Sequence, residues 1–300
     1  MNARVVWASG AGGTWLRTTD GGTKWKAAVV PGAEDKDFRG IRALDANTAW
    51  LMSSGTGAKS AIYGTTDAGA HWRLLFTNPD AGGFFDAMAF WDAQNGMVAG
   101  DPVDGKMAVF TTHDGGEHWA RQVTPAALPE EAAFAASDSS VFLRGRREAW
   151  LGTGGRGAGR VLHSRDGGAT WTVAAAPIRN DSSSAGIFSL AFSDGRHGLA
   201  VGGDYAKDSE AGRNLVVTRD GGKTWETPDL PGPQGFRSAV VWLAGSKRWI
   251  VAGTSGSDVS ADNGRTWRSF ATGSYNALGI ADGAVWAVGA KGRIARLGPL

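Results

Sequence analysis

The chain has 300 residues, with 31 Lys and Arg against 29 Asp and Glu and a formal net charge of +2 at pH 7. A balance this even argues against nucleic acid as the partner. No Cys is present, which excludes disulfides and thiolate metal sites, and a count of 46 Gly beside 42% hydrophobic residues suits many short strands joined by tight turns.

In chain order, Arg4 to Ser9 already reads as a strand. Next comes Thr18-Thr-Asp20-Gly-Gly22-Thr-Lys24-Trp25, and this phrase occurs six times: Ser or Thr, any residue, Asp, any residue, Gly, any residue, Thr or a stand-in, then Trp. Its aspartates are Asp20, Asp67, Asp114, Asp166, Asp220 and Asp262, and its tryptophans are Trp25, Trp72, Trp119, Trp171, Trp225 and Trp267. A second motif runs from a large apolar residue through a short apolar or small stretch to Gly. It occurs at Trp7 to Gly10, Trp50 to Gly55, Met97 to Gly100, Trp150 to Gly154, Leu199 to Gly202, Trp249 to Gly253 and Trp286 to Gly289. Seven copies give about 43 residues each, the length of a four-stranded propeller blade.

The third unit displays the internal pattern. Phe85 to Trp91, Met97 to Gly100, Met107 to Thr112 and Trp119 to Val123 are short apolar runs separated by Gly, Asp, Asn and Pro, and they predict strands A, innermost, to D. The aspartate phrase falls on the turn from C to D. There the carboxylate accepts backbone N–H bonds, Gly takes positive φ and Trp packs between blades. The expected fold is all-β: one domain over residues 1–300, a seven-bladed β-propeller of four-stranded antiparallel blades with the first and last incomplete. The first blade lacks strand A, and the last, ending in Gly292-Arg-Ile-Ala-Arg296, has no aspartate phrase and stops near Leu297 after strand C. An upstream segment carrying both missing strands would complete both blades, so an N-terminally shortened chain is expected.

Thr218-Arg-Asp220-Gly-Gly222-Lys-Thr224-Trp225 matches the Asp-box (BNR) repeat in full, while His71 and His118 replace the box Thr. The chain resembles Asp-box propellers, which include sialidases, sortilin-type receptors, some endoglucanases and seven-bladed photosystem II assembly factors of the Ycf48/HCF136 kind. Blade rhythm and length are most similar to the last group and its non-photosynthetic bacterial relatives. The resemblance speaks for fold far more than for function, because one fold hosts many activities.

Connections from A to B and from C to D are short and uniform, whereas those from D to A and B to C are long and varied. The second class shares one face, where sites on a rigid scaffold usually sit. Superposing the units places Arg39, Asp86, Ser139, Phe188, Ser238 and Asn276 at the start of strand A, with Arg237, Ser189 and Tyr275 beside them. The B-to-C loops add Asp101, Arg160, Asp204 and Tyr205. The candidate ligand site is therefore a ring mouth of Arg39, Asp86, Asp101, Arg160, Asp204, Tyr205 and Arg237, with Arg39 and Arg237 as readers of anions. The box aspartates are structural. Gly152-Thr-Gly154-Gly-Arg-Gly157 fits a dinucleotide pattern, but it leads from strand to strand and opens no helix. No cofactor is implied, and the five His are too scattered for a metal.

The resemblance to assembly factors implies a non-enzymatic scaffold, expected as a monomer, that presents its loop face to a protein or peptide. The alternative is a carbohydrate-active enzyme of sialidase or endoglucanase type, or a glycan binder. For it Asp86, Asp101, Glu131 and Asp204 offer carboxyl pairs and Tyr205 or Tyr275 a nucleophile. No Arg-Ile-Pro segment of the sialidase type occurs, and Phe38-Arg39-Gly40-Ile41 is a poor substitute. No apolar run approaches the ~20 residues of a membrane helix, and residues 1 to 20 lack a signal peptide's apolar core. The full-length form is nevertheless expected to be exported.

Overall fold

In the computed structural model, which describes residues 4–298, the strands form seven antiparallel sheets. Blade one contains Val6–Ser9, Thr14–Thr18 and Lys26–Val29, and blade two contains Phe38–Ala43, Ala49–Ser53, Ala61–Thr65 and Arg73–Thr77. Blade three contains Phe85–Phe90, Gly96–Val103, Lys106–Thr112 and Ala120–Arg121, and blade four Val141–Arg144, Glu148–Gly152, Arg160–Ser164 and Thr172–Ala175. Blade five follows with Ala185–Phe192, Gly198–Asp204 and Leu215–Thr218. Blade six holds Ala239–Leu243, Arg248–Gly253, Gly256–Ser260 and Arg268–Ala271, and blade seven Ala277–Ala281, Ala284–Gly289 and Arg293–Arg296. Among the described residues, blade one has strands B to D and blade seven has strands A to C, as expected.

Blade five corrects the expectation of a complete sheet. Its outer strand is reduced to a single bridge between Val217 and Glu226. Pro228, Pro231 and Pro233 follow within a few residues, and without N–H groups they cannot extend the ladder.

The core lies between blades. Trp7, Trp50, Trp150, Trp249 and Trp286 of the B strands are all buried, each contributing about 2–3 kcal/mol. Two of them also anchor the neighbouring box: the Trp50 indole donates to the Gly115 carbonyl at 2.8 Å and that of Trp150 to the Gly221 carbonyl at 3.0 Å. Between blade seven and blade one a B-strand tryptophan packs on the box without that hydrogen bond. Trp286 lies edge-on to Trp25 with centroids 5.8 Å apart, and its ring tip is 2.4 Å from where a Cβ on Gly22 would stand. Gly22, at φ +89°, is therefore required by both conformation and space.

Bulges interrupt the start of strand A in blades two, three and five, and the extra residues are Arg39, Asp86 and Phe188. A bulge re-aims its side chain and is frequent beside functional sites. These three sit at one end of the channel, on the face of the long loops.

Candidate functional site

Asp86 is 2% exposed, and burial pushes its carboxyl well above the ordinary range, with the like charge of Asp101 adding to the shift. The backbone N–H of Asp101 bonds to it, while its Oδ2 has no hydrogen-bond partner. Asp101, half-buried, is itself pushed up by burial, and its Oδ1 accepts the Ala133 N–H at 3.1 Å. Arg39 is exposed and its Nε donates to Asp37 Oδ2 at 2.8 Å. Its charge still offsets part of the Asp86 shift.

The D-to-A connection between blades three and four crosses the mouth and is almost wholly buried from Glu131 to Ser140. Glu131 receives Arg160 Nε at 2.9 Å and the Thr153 hydroxyl at 2.6 Å. Phe134 stacks on Phe188 at 4.0 Å, and Phe236 meets Phe188 edge-on at 4.6 Å. Asp138 then reaches into the channel, where its Oδ1 accepts the Met88 N–H at 2.6 Å and its Oδ2 lies 3.3 Å from Arg42. Burial raises this carboxyl to about 7 despite the Arg42 charge. Ser139 bonds to the Ser189 hydroxyl at 2.8 Å, joining blades four and five.

The remaining candidates are engaged in holding loops. Asp204 is pushed up by burial, but hydroxyls of Ser184 and Ser182 and the Ala206 N–H outweigh that and leave it below the usual range. Arg237 is 1% exposed, with Nε and Nη2 on Asp258 Oδ2 at 2.8 and 2.6 Å. Its expected role as an anion reader gives way to a buried ion pair, because the whole guanidinium fork is occupied. Arg160 is committed to Glu131 in the same way. Ser238 bonds to the Asn276 carbonyl at 2.7 Å, and Arg293 lies over Tyr275. Tyr205 stands apart: 57% exposed, it meets the Phe188 ring edge-on at 6.1 Å. The structure thus brings Asp86, Asp101 and Arg39 within electrostatic reach of one another, and it ties Arg160, Asp204 and Arg237 into the loop framework.

On the opposite face the six boxes share one geometry. In each, the Gly N–H donates to the leading hydroxyl at 2.8–3.1 Å, and the N–H preceding Trp donates to the Asp Oδ1 at 2.8–3.0 Å. His71 and His118 place Nδ1 on the outer carboxylate oxygen at 2.6 and 2.7 Å, the position taken by the Thr170 hydroxyl at 2.5 Å. They substitute for Thr by hydrogen bond.

This face also carries a feature that the loop-centred reading missed. The box N–H groups of Gly167 and Gly221 bond to the carbonyls of Arg147 and Arg196 in the A-to-B turns, at 2.8 and 2.9 Å. Each turn thereby abuts the arginine inside its own box, Arg165 or Arg219. Arg144 bridges the two blades, its guanidinium 2.8 Å from where a Cβ on Gly195 would stand. With Arg146, six exposed arginines cover two neighbouring blades. In blades two and three the equivalent positions are Asn47 and Thr66, and Gln94 and His113. The signal was Arg before the Asp in two adjacent boxes only.

Together these features define a seven-bladed β-propeller with a loop-sealed channel mouth on one face and an arginine surface on the other. Among the described residues, no group of three His, Cys, Asp or Glu is placed to hold a metal, and no helix is long and apolar enough to cross a membrane. No protein-family model matches the chain, and no curated protein sequence does. Solved structures do. The chain is similar to a Ycf48 structure described as bound to a D1 peptide, at 15% identity and TM-score 0.63, covering 98% of this chain and 90% of that one. It is also similar to Ycf48 from Cyanidioschyzon merolae, at 18% identity and TM-score 0.57, covering 83% and 76%. An ancestral GH74 enzyme aligns at 13% identity and TM-score 0.60 over 86% of this chain, which spans only 36% of that enzyme's length. At identities this low the likeness is one of fold alone.

Proposed function

We propose that the protein is a non-enzymatic binding scaffold that docks an acidic segment of a protein partner on the arginines beneath blades four and five. The observation carrying this reading is the placement of Arg144, Arg146, Arg147, Arg165, Arg196 and Arg219 on adjoining turns, with neutral residues at matching positions of blades two and three. Guanidinium forks suit carboxylates in two-point contact. The rest of that face is mixed in charge, with exposed Asp45, Asp92 and Glu117 beside Lys24, Lys247 and Arg265, so the run of arginines is confined to blades four and five. The peptide held by the similar Ycf48 structure supports a polypeptide partner.

The test is fluorescence anisotropy with a labelled oligoglutamate peptide. Charge removal at Arg165 or Arg219 is expected to cost about 1 kcal/mol each, the scale of exposed pairs, with binding weakening as salt rises and the melting temperature unchanged. Wild-type affinity that survives Arg165→Gln with Arg219→Gln, or preference for anionic vesicles over the peptide, overturns the proposal.

A second reading, glycoside hydrolysis, is favoured by the neighbouring carboxyls Asp86 and Asp101, of which the buried Asp86 is the more strongly raised and suits the acid, leaving the half-exposed Asp101 as the carboxylate partner. Chromogenic glycosides decide it. Hydrolysis by the wild type that disappears in Asp86→Asn establishes an enzyme.

A further inference from the structure

The mouth of the channel holds two neighbouring carboxyls, Asp86 and Asp101, neither of them in an ion pair among the described residues. Asp86 is the extra residue of a bulge, fully buried, with Oδ2 lacking any hydrogen-bond partner. Asp101 forms a half-exposed lip above it, fixed through Oδ1 by the Ala133 N–H. The charged groups facing Asp86 are Asp101 on strand Gly96–Val103 and Arg39 on strand Phe38–Ala43. Arg39 is drawn aside by Asp37, and Arg42 on the same strand is committed to Asp138. Immediately after Ala133 comes Phe134, stacked on Phe188, against whose edge the exposed Tyr205 ring stands. Phe134 and Phe188 are themselves buried, at 8% and 2% exposure, and of these three rings only Tyr205 is open to solvent.

We infer that Asp86 and Asp101 form a binding site for an alkylammonium group, entered past the half-exposed Asp101. An ammonium carries three donors and no acceptor, so it supplies the donor that Asp86 Oδ2 lacks while bonding to Asp101. The site reverses the sign expected for this mouth, because Arg237 and Arg160 are consumed internally while the two aspartates are left without a partner cation. It is independent of the arginine surface on the opposite face.

Isothermal titration of the intact protein with a capped oligolysine and with spermidine tests the site. The wild type is expected to bind more tightly at mildly alkaline than at mildly acidic pH, with proton release, since the arriving cation ionises the buried carboxyl. Asp86→Asn and Asp101→Asn are each expected to weaken binding about tenfold or more. Both variants keep side-chain shape and neither breaks an ion pair, so melting temperature is expected to hold and loss of binding reads on the site. Tighter binding of oligolysine assigns the cation to a polypeptide partner, and tighter binding of spermidine to a free polyamine. Undiminished binding by Asp86→Asn, or affinity independent of pH in the wild type, overturns the inference.

Discussion

Residues of the same chemical type do different work here according to what surrounds them. Arg237 and Arg165 are both arginines beside an aspartate in sequence or space, yet one is sealed on Asp258 and the other projects into solvent. Removing Arg237 strands the buried Asp258 carboxylate. Arg237→Ala is therefore expected to cost about 3–5 kcal/mol, read as a fall in the denaturant midpoint, with oligoglutamate binding by the folded fraction unchanged. A box aspartate sits at lower stakes. Asp220 accepts from the Thr224 N–H and from the hydroxyls of Thr218 and Thr224, but it stands partly in water. Asp220→Ala is expected to destabilise by about 1 kcal/mol. An Asp220→Ala protein of unchanged midpoint would contradict the structural role of the box.

At the level of the blade, a B-strand tryptophan packs on the box glycine of the next sheet at three joints, Trp50 on Gly116, Trp150 on Gly222 and Trp286 on Gly22, while Met97 and Leu199 take that place against Gly168 and Gly264. Of the three, the joint between blades seven and one is the one without an indole hydrogen bond: Trp286 faces Gly22 and its Nε1 has no partner, unlike Trp50 and Trp150. Trp286→Ala is expected to lower stability by about 3–5 kcal/mol through the cavity it leaves. Gly22→Ala is expected to be destabilising too, since a Cβ would strike the ring at a backbone angle disfavoured for Ala. Gly12→Ala is the control, with positive φ but open space around it. Calorimetry should show Gly22→Ala melting below Gly12→Ala, and the reverse order would remove the joint from the account of ring closure.

Across the whole molecule, two sets of carboxyls pull stability in opposite directions with pH. The His71 N–H bond and the Thr170 hydroxyl, each foremost at its site, hold Asp67 and Asp166 down to about 2, below the ordinary 3.8. Their contribution is present above that value and is lost as pH falls toward 2. Asp138 behaves oppositely: burial raises it to about 7, so the native state holds a proton that the unfolded chain has released. Stability therefore declines as pH rises from about 4 to 7, and Asp86 adds to the same trend. Urea midpoints are expected to peak in the mildly acidic range. Asp138→Asn is expected to flatten the decline on the alkaline side, and an unaltered slope would show that Asp138 is not responsible.

How much of this was legible in the chain follows from range. The boxes, blade count and incomplete end blades could be read directly, because a turn is decided by residues within a few positions of one another and the repeat multiplies that local signal. The superposition of units put Arg39 and Asp86 at the start of strand A, where they lie, and aligned Phe188 with them; it shares their bulge but is the fourth residue of its strand. What the superposition could not foresee was partnership. Arg237 meets Asp258, Arg160 meets Glu131, and Asp138 meets Met88 and Arg42 only after blades are brought side by side. The six arginines likewise become one surface only because Gly167, Gly221 and Gly195 bring their turns together. Local turn chemistry determined the propeller from sequence alone. Which charges are buried, paired or left facing a ligand was decided by tertiary structure, because desolvation and ion pairing depend on neighbours in space and not on neighbours in the chain.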